Sequence, residues 1–218
     1  MRADALTFLE REALYDLFLS VRDCERRKIE GVLIEAGCAA GGSAIVIASA
    51  KHPARRLLVY DVFGMIPPPS RADCDDVWKR YEVIAGGQAM GIGNRKYYGY
   101  EADLLSQVEE NFARHGYPIN GNNVSLIKGL FQDMLTGSEP VALAHVDGDW
   151  YDSVMVCLER IVPRLVVGGR LVIDDYGAWS GCRKAVDEYF AKTRQHYEFV
   201  NKSRLHIIRS SPNGRKTL

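Results

Sequence analysis

The sequence has no excess of charge of either sign. Its 28 lysine and arginine residues balance 28 aspartate and glutamate residues, so the formal net charge is +0 at pH 7. A protein that holds nucleic acid mainly through phosphate groups usually carries a basic excess. The balance argues against nucleic acid as a partner of this chain, and we expect none.

Cysteine pairs and long apolar runs are also missing. The cysteines number five and contain no Cys-x-x-Cys pair, so we expect reduced intracellular thiols rather than a disulfide or zinc framework. No apolar run approaches the ~20 residues that span a bilayer, and the N-terminus lacks the apolar core of a signal peptide. These features predict a soluble, cytoplasmic protein with no membrane partner.

The length and composition are those of a globular domain. The chain has 218 residues, of which 47% are hydrophobic and 26% charged, and no repeat divides it. We expect a single domain over residues 1–218 with an irregular, glycine- and proline-rich insert at about residues 64–100. Such long segments inside a compact domain are usually lids or binding loops, and a disordered spacer is the alternative.

Short apolar segments alternate with segments of helical period. The predicted strands cover residues 32–34, 57–61, 124–127, 141–147 and 170–174. The predicted helices cover residues 5–21, 153–165 and a short stretch at 77–84, with a further buried helix beginning near residue 44. This alternation predicts an α/β fold with a mostly parallel sheet, closed by a C-terminal antiparallel hairpin over residues 197–208.

A glycine-rich loop follows the first strand. Residues 35–43 read Glu-Ala-Gly-Cys-Ala-Ala-Gly-Gly-Ser, and such a loop lets a ligand approach the backbone and the N–H groups of the next helix. Asp61 ends the second strand, where an acid can accept both hydroxyls of a ribose. Together they indicate a nucleotide-type site, although a tight strand–helix connection and a solvated strand end would explain them separately.

Four aspartates follow two later strands. Asp147 and Asp149 come after the fourth strand, and Asp174 and Asp175 end the fifth. The carboxyl ends of parallel strands share one edge, so we expect these carboxylates to converge there. They repel one another unless a cation lies between them, and Mg²⁺ prefers oxygen ligands of this kind. Loop-capping or helix-capping roles for the individual aspartates are the alternative.

These motifs resemble the macrocin O-methyltransferase family of metal-dependent sugar O-methyltransferases, which use S-adenosylmethionine in antibiotic biosynthesis. The resemblance extends from about residue 29 to residue 190 and rests on residues 35–43, 61–69, 147–153 and 168–176. It implies a class I methyltransferase fold, which is Rossmann-like with a seven-stranded sheet. It also implies S-adenosylmethionine and Mg²⁺ as cofactors and a small-molecule glycoside as substrate.

The resemblance assigns roles by motif position. It implies Asp147, Asp174 and Asp175 as metal ligands and Asp149 as the general base. His145 faces the same way as Asp147 and could assist as a base, with a hydrogen-bonded structural histidine as the alternative. The positions expected to bind the cofactor are Glu35, Gly37, Cys38, Gly41, Ser43, Asp61, Gln132 and Asp133.

Acceptor specificity is expected to lie in the insert, where Tyr97, Tyr98 and Tyr100 could line a pocket. Trp150 stands where related catechol methyltransferases usually have a lysine, which favours an aliphatic hydroxyl as the acceptor.

Two other functions remain open, an NAD-dependent oxidoreductase and a catalytically inactive cofactor-binding module. A homo-oligomer also remains open, because the apolar stripe of the first helix could face a second subunit. The basic residues 213–216 are expected to form a solvated end.

Overall fold

A seven-stranded sheet organises the described part of the chain. The computed structural model describes residues 1–211, and the basic residues 213–216 lie outside this range. The strands are β1 Val32–Ala36, β2 Leu57–Asp61, β3 Val124–Lys128, β4 Val141–Val146, β5 Leu165–Ile173, β6 Tyr197–Asn201 and β7 Leu205–Arg209. Their order across the sheet is β3-β2-β1-β4-β5-β7-β6. Strands β1 to β5 pair in parallel, and β7 pairs antiparallel with β5 and β6.

Seven α-helices connect and cover the strands within residues 1–211. They are α1 Arg11–Arg26, α2 Gly42–Ala50, α3 Asp75–Ala85, α4 Leu104–Arg114, α5 Phe131–Met134, α6 Tyr151–Ile161 and α7 Ser180–Phe190. Short 3₁₀ turns lie at Ile92–Asn94, Tyr98–Tyr100, Val162–Arg164 and Arg194–His196. In the described range, none of the helices has both the length and the apolar character needed to cross a membrane.

Both faces of the sheet are covered, which explains the uninterrupted apolar runs of its strands. Every residue of β1, β2 and β4 is buried. Helices α6 and α7 pack on one face through residues such as Leu158 and Val186. Helices α1, α2 and α4 pack on the other face through Leu17, Ile45 and Phe112. A sheet buried on both sides needs apolar residues at successive positions rather than at alternate ones.

The sequence-based assignment placed some helix boundaries wrongly and missed helix α4. The first helix begins at Arg11 rather than residue 5; Leu6 is buried, but in a segment whose backbone carbonyl accepts a hydrogen bond from Gly42 N–H. Helix α6 ends at Ile161, and Leu165 already belongs to β5. Helix α4 was not predicted, although its buried residues Leu104, Val108, Asn111 and Phe112 follow a helical spacing. Apolar spacing reports burial, and burial alone does not distinguish a helix from an extended segment.

The insert is folded and fixed to the helices that follow the acidic motifs. It contains α3, Asp75–Ala85, which confirms the short helix predicted at residues 77–84. The Asp73 carboxylate accepts a hydrogen bond from the Tyr151 N–H at 2.8 Å, at the start of α6. The Asp76 carboxylate accepts one from the Ser180 N–H at 3.0 Å, at the start of α7. These carboxylates satisfy N–H groups that a helix leaves free at its N-terminus, so the insert and the two helix starts form one folded unit.

We predict that Gly37→Ala destabilises the fold much more than Gly116→Ala. Both glycines have left-handed backbones, with φ of +90° and +84°, but an added Cβ would collide with the Asp147 backbone oxygen at position 37 and meet nothing within 4 Å at position 116. The backbone strain is therefore common to both variants. Overpacking should lower the free energy of unfolding of Gly37→Ala by about a further 1–3 kcal/mol. Urea unfolding measures the difference. Equal losses would contradict the close approach of the loops after β1 and β4.

Candidate functional site

Three carboxylates converge at the carboxyl edge of the sheet. Asp147 and Asp149 follow β4, Asp175 follows β5, and each offers an oxygen within 4.8 Å of the others. Removal from water raises the pKa of all three carboxyl groups, and repulsion by the neighbouring carboxylates adds to this effect. The pKa of Asp175 rises to about 7. Without a neighbouring positive charge, the three carboxyl groups therefore resist full ionisation.

The fourth aspartate, Asp174, lies beside this cluster rather than within it. Its Oδ1 accepts a hydrogen bond from Arg204 Nε at 2.6 Å and lies 3.5 Å from His145 Nε2. Burial opposes ionisation of Asp174, but the hydrogen bonds and charges of His145 and Arg204 hold its pKa below the ordinary value. Asp174 Oδ2 accepts no hydrogen bond from residues 1–211 and stays free for another ligand.

The donor set of the cluster fits a divalent cation such as Mg²⁺. All the candidate ligand atoms are carboxylate oxygens, which hard cations prefer. Among the described residues, no lysine, arginine or histidine forms an ion pair with Asp147, Asp149 or Asp175, whereas Asp174 has two such partners. A bound cation would relieve the repulsion that raises the three pKa values.

His145 occupies the interior of the sheet and joins two carboxylates. It lies directly opposite Glu35 in the pairing of β1 with β4, and its Nδ1 is 3.0 Å from Glu35 Oε2. Burial would lower the pKa of His145, but the charges and hydrogen bonds of Glu35 and Asp174 raise it to about 10. Glu35 also accepts a hydrogen bond from the Ser43 hydroxyl. A fully buried histidine between two acids is suited to holding Asp174 in place and poorly placed to take a proton from an acceptor.

Asp61 holds the glycine-rich loop through its carboxylate. Oδ2 accepts hydrogen bonds from the N–H groups of Cys38 at 2.7 Å and Ala39 at 3.3 Å, and Oδ1 accepts one from Phe63 at 2.7 Å. Burial nevertheless raises the pKa of Asp61. A carboxylate has about four acceptor positions, so one remains. Asp61 was expected to accept hydrogen bonds from both ribose hydroxyls, but it has one acceptor position left and so can accept from one.

The predicted cofactor residues separate into two groups. Gly37, Asp61 and Gln132 line one cavity between the ends of β1 and β2 and the start of α5, which we call the loop cavity. The remaining predicted cofactor residues do not line it: Glu35, Cys38, Gly41, Ser43 and Asp133. Cys38 and Ser43 instead line a second cavity, described next, and burial raises the pKa of the Cys38 thiol well above the ordinary value.

A second cavity, of about 270 Å³, contains the acidic residues. We call it the acid cavity. It shares Ala39, Tyr98, Asp147 and Asp149 with the lining of the loop cavity, so ligands in the two cavities would meet at the first aspartate pair. Aromatic side chains, a common surface for the apolar faces of small ligands, form part of its wall: Tyr97, Tyr98, Trp150 and Trp179.

Tyr100, which was expected to line a pocket, serves the fold instead, and Trp150 serves the fold while lining the acid cavity. The Tyr100 hydroxyl donates to the Ile84 carbonyl and accepts from the Ala89 N–H, both inside the insert. Trp150 is only 2% exposed, and its indole N–H donates to the Pro67 carbonyl at 3.0 Å. Trp150 therefore contributes packing at the cavity wall and fixes the insert to the acidic segment.

Three residues at the site were not identified from the sequence. Arg204 lies in the turn between β6 and β7, Arg80 lies on α3, and Trp179 precedes α7; all three line the acid cavity. None is part of a recognisable motif, and Arg204 and Arg80 are far in sequence from the aspartates. Trp179 follows Asp175 by four residues, which was the one signal that could have identified it.

We predict that Arg204→Met destabilises the fold through Asp174. Arg204 bridges Asp174 and Glu10, and its loss leaves the Asp174 carboxylate with one partner fewer in a site where its side chain is 11% exposed. Breaking a buried pair from one side typically costs about 3–5 kcal/mol. Glu10→Gln is the control, because it removes only the partner that is 60% exposed and should cost at most about 1 kcal/mol. Urea unfolding of both variants tests this; similar losses would contradict it.

The sequence matches known methyltransferases. Residues 3–201 match the family described as Macrocin-O-methyltransferase (TylF). The chain is 35% identical over 169 residues to 8-demethyl-8-(2,3-dimethoxy-alpha-L-rhamnosyl)-tetracenomycin-C 4'-O-methyltransferase of Streptomyces olivaceus, with 74% of this chain and 58% of the relative covered. It is 29% identical over 198 residues to demethyldecarbamoylnovobiocin O-methyltransferase of Streptomyces niveus, with coverages of 87% and 70%. The chain thus spans 58% of the first relative and 70% of the second.

Solved structures share the fold. The O-methyltransferase NovP superposes with a TM-score of 0.79 at 25% identity, covering 94% of this chain and 83% of that chain. The calicheamicin methyltransferase CalS11 gives 0.65 at 19% identity, covering 92% and 81%, and supports the fold alone. The predicted class I methyltransferase fold, with seven strands and a C-terminal hairpin, is confirmed. By its sequence match, this chain belongs to the macrocin-O-methyltransferase family.

Proposed function

We propose that this protein transfers a methyl group from S-adenosylmethionine to a sugar hydroxyl of a glycosylated small molecule in antibiotic biosynthesis. The observation that carries the proposal is the pair of cavities that meet at Asp147 and Asp149 in a member of this family. A donor and an acceptor held in adjoining cavities can react where the cavities meet. The name of the tetracenomycin relative, which includes a rhamnosyl group, supports a sugar-bearing acceptor.

S-adenosylmethionine would occupy the loop cavity. Gly37 has no side chain to obstruct it, the remaining acceptor position on Asp61 can take one ribose hydroxyl, and the Gln132 amide can hydrogen-bond the adenine edge. Glu35, Ser43 and Cys38 would contribute through the loop that they support rather than by direct contact. Gly41 begins α2 with a left-handed backbone, so its role would also be to shape the loop.

Asp147, Asp174 and Asp175 would hold Mg²⁺, with Asp174 offering the oxygen that Arg204 leaves free. When bound, the cation would lower the pKa of a hydroxyl that it contacts. Asp149 lines both cavities, which supports its carboxylate as the group that would accept the hydroxyl proton. The acceptor oxygen forms the new C–O bond as the C–S bond of the sulfonium breaks, and the proton passes to Asp149.

His145 would act in this scheme by positioning. Its place between Glu35 and Asp174 fixes the Asp174 carboxylate relative to β4 and leaves no contact with an acceptor. The aromatic wall of Tyr97, Tyr98 and Trp179 suits the apolar faces of a sugar ring. The insert at about residues 64–100 borders this wall and would select the acceptor.

We predict that Asp149→Asn lowers methyl transfer by at least about 100-fold, because asparagine cannot take the proton. S-adenosylmethionine binding, measured by calorimetry, should persist. The assay uses a panel of glycosides with labelled S-adenosylmethionine. Asp152→Asn is the matched control, since it makes the same chemical change at an exposed residue of α6 and should leave turnover unchanged. Full turnover by Asp149→Asn would exclude this residue as the base.

We predict that removal of divalent cations by a chelator abolishes turnover and that added Mg²⁺ restores it. The same Mg²⁺ should raise the melting temperature of the wild type but not of Asp147→Asn, because relief of carboxylate repulsion needs the full cluster. Turnover that survives chelation would refute the metal assignment.

Two outcomes would favour a different function. Binding of NAD in place of S-adenosylmethionine would favour an oxidoreductase. Cofactor binding without methyl transfer or a Mg²⁺-dependent thermal shift would favour an inactive module.

A further inference from the structure

The side chain of Asp149 is held by a hydrogen bond that the proposed chemistry does not use. The indole Nε1 of Trp179 donates a hydrogen bond to Asp149 Oδ1 at 3.1 Å. Asp149 Oδ2 accepts no hydrogen bond from residues 1–211. The backbone of Asp149 is fixed as well, because its N–H donates to Asp175 Oδ2 at 3.2 Å. Its φ of +53° is uncommon for a residue with a side chain, so packing and hydrogen bonds enforce this conformation.

Trp179 is itself fixed from two sides. Its backbone N–H donates to the Asp175 carbonyl at 3.0 Å, which ties it to the end of β5. Its ring meets that of Trp150 edge to face, with centroids 5.8 Å apart and an interplanar angle of 70°. Trp150 is in turn anchored to the Pro67 carbonyl of the insert. The indole N–H is therefore presented to Asp149 by a rigid support.

We propose that Trp179 is a positioning residue for methyl transfer, which rests on the proposed role of Asp149 as the base. A free carboxylate can exchange its two oxygens by rotation about χ2. A hydrogen bond to Oδ1 removes this equivalence and leaves Oδ2 as the atom that receives the proton. An indole N–H can donate but cannot accept, so Trp179 orients the carboxylate without taking part in the proton transfer.

Ring packing alone would be the simpler role for Trp179, and two substitutions separate the roles. Trp179→Phe keeps an aromatic ring against Trp150 but has no N–H. Trp179→His has a smaller ring, and its Nε2 takes the place of the indole nitrogen in the five-membered ring. At pH 8, above the ordinary histidine pKa of about 6.5, the imidazole is neutral and can donate from Nε2. Both variants have a smaller ring than indole, phenylalanine keeps the larger of the two, and only histidine keeps an N–H donor.

We expect Trp179→Phe to lower kcat about tenfold or more, as loss of a supporting hydrogen bond at a reactive site commonly does, with KM for both substrates within about twofold of wild type. Trp179→His should recover most of the lost kcat although its ring packs less well. Trp78→Phe is the matched control, because it makes the same change at a tryptophan of α3 that is 38% exposed and, unlike other residues of the insert, lines neither cavity; it should not change kcat. Calorimetry with S-adenosylmethionine checks that each variant is folded.

The outcomes are distinct. If wild type methylates a glycoside and Trp179→Phe retains its kcat, the inference is wrong and the proposed function stands. If Trp179→Phe and Trp179→His lose kcat equally, ring packing explains the effect and the inference is also wrong. If wild type methylates no glycoside, the proposed function fails and the inference fails with it. Should Trp179→Phe not fold, Trp179→Leu and Trp179→Gln repeat the comparison, since only glutamine retains an N–H donor.

Discussion

The repulsion between partly buried carboxylates at one edge of the sheet is the constraint on which the site depends. Asp147, Asp149 and Asp175 lie within 4.8 Å of one another, and water that would screen them is largely excluded. Such an arrangement persists only if the surrounding structure holds each side chain in place. The protein provides this through backbone amides, an indole N–H and the cationic partners of Asp174, while the three carboxyl groups of the cluster have no ion-pair partner among the described residues.

A series of contacts between acidic and basic side chains links five elements around the site. Glu35 contacts His145, His145 contacts Asp174, Asp174 contacts Arg204, and Arg204 contacts Glu10. Each member lies on or beside a different element: β1, β4, β5, the β6–β7 turn and the segment before α1. The C-terminal hairpin therefore does more than close the edge of the sheet, because its turn supplies the arginine that fixes the fourth aspartate.

The sequence was sufficient for the architecture and for the general place of the site. Apolar runs such as residues 57–61 predicted buried parallel strands, and strand ends predicted where carboxylates would meet. The partners of those carboxylates could not be predicted, because Arg204 and Asp174 are joined by folding and not by a motif. The hydrogen-bond donors to Asp61 could not be predicted either, because they include the backbone N–H groups of Cys38 and Phe63, and the type of a residue does not show what its backbone N–H contacts. The start of α1 was missed because Leu6 is buried without being helical.

The two caps that the insert places on α6 and α7 have a consequence for exchanging acceptor specificity between relatives. Asp73 and Asp76 lie in the insert. The N–H groups that donate hydrogen bonds to them belong to Tyr151 and Ser180, which lie just beyond the two acidic motifs. A graft of the whole insert would replace these carboxylates along with the residues that line the acid cavity. A chimera that exchanges only residues 77–100 keeps both caps, and so changes the lining of the cavity without loosening the catalytic edge.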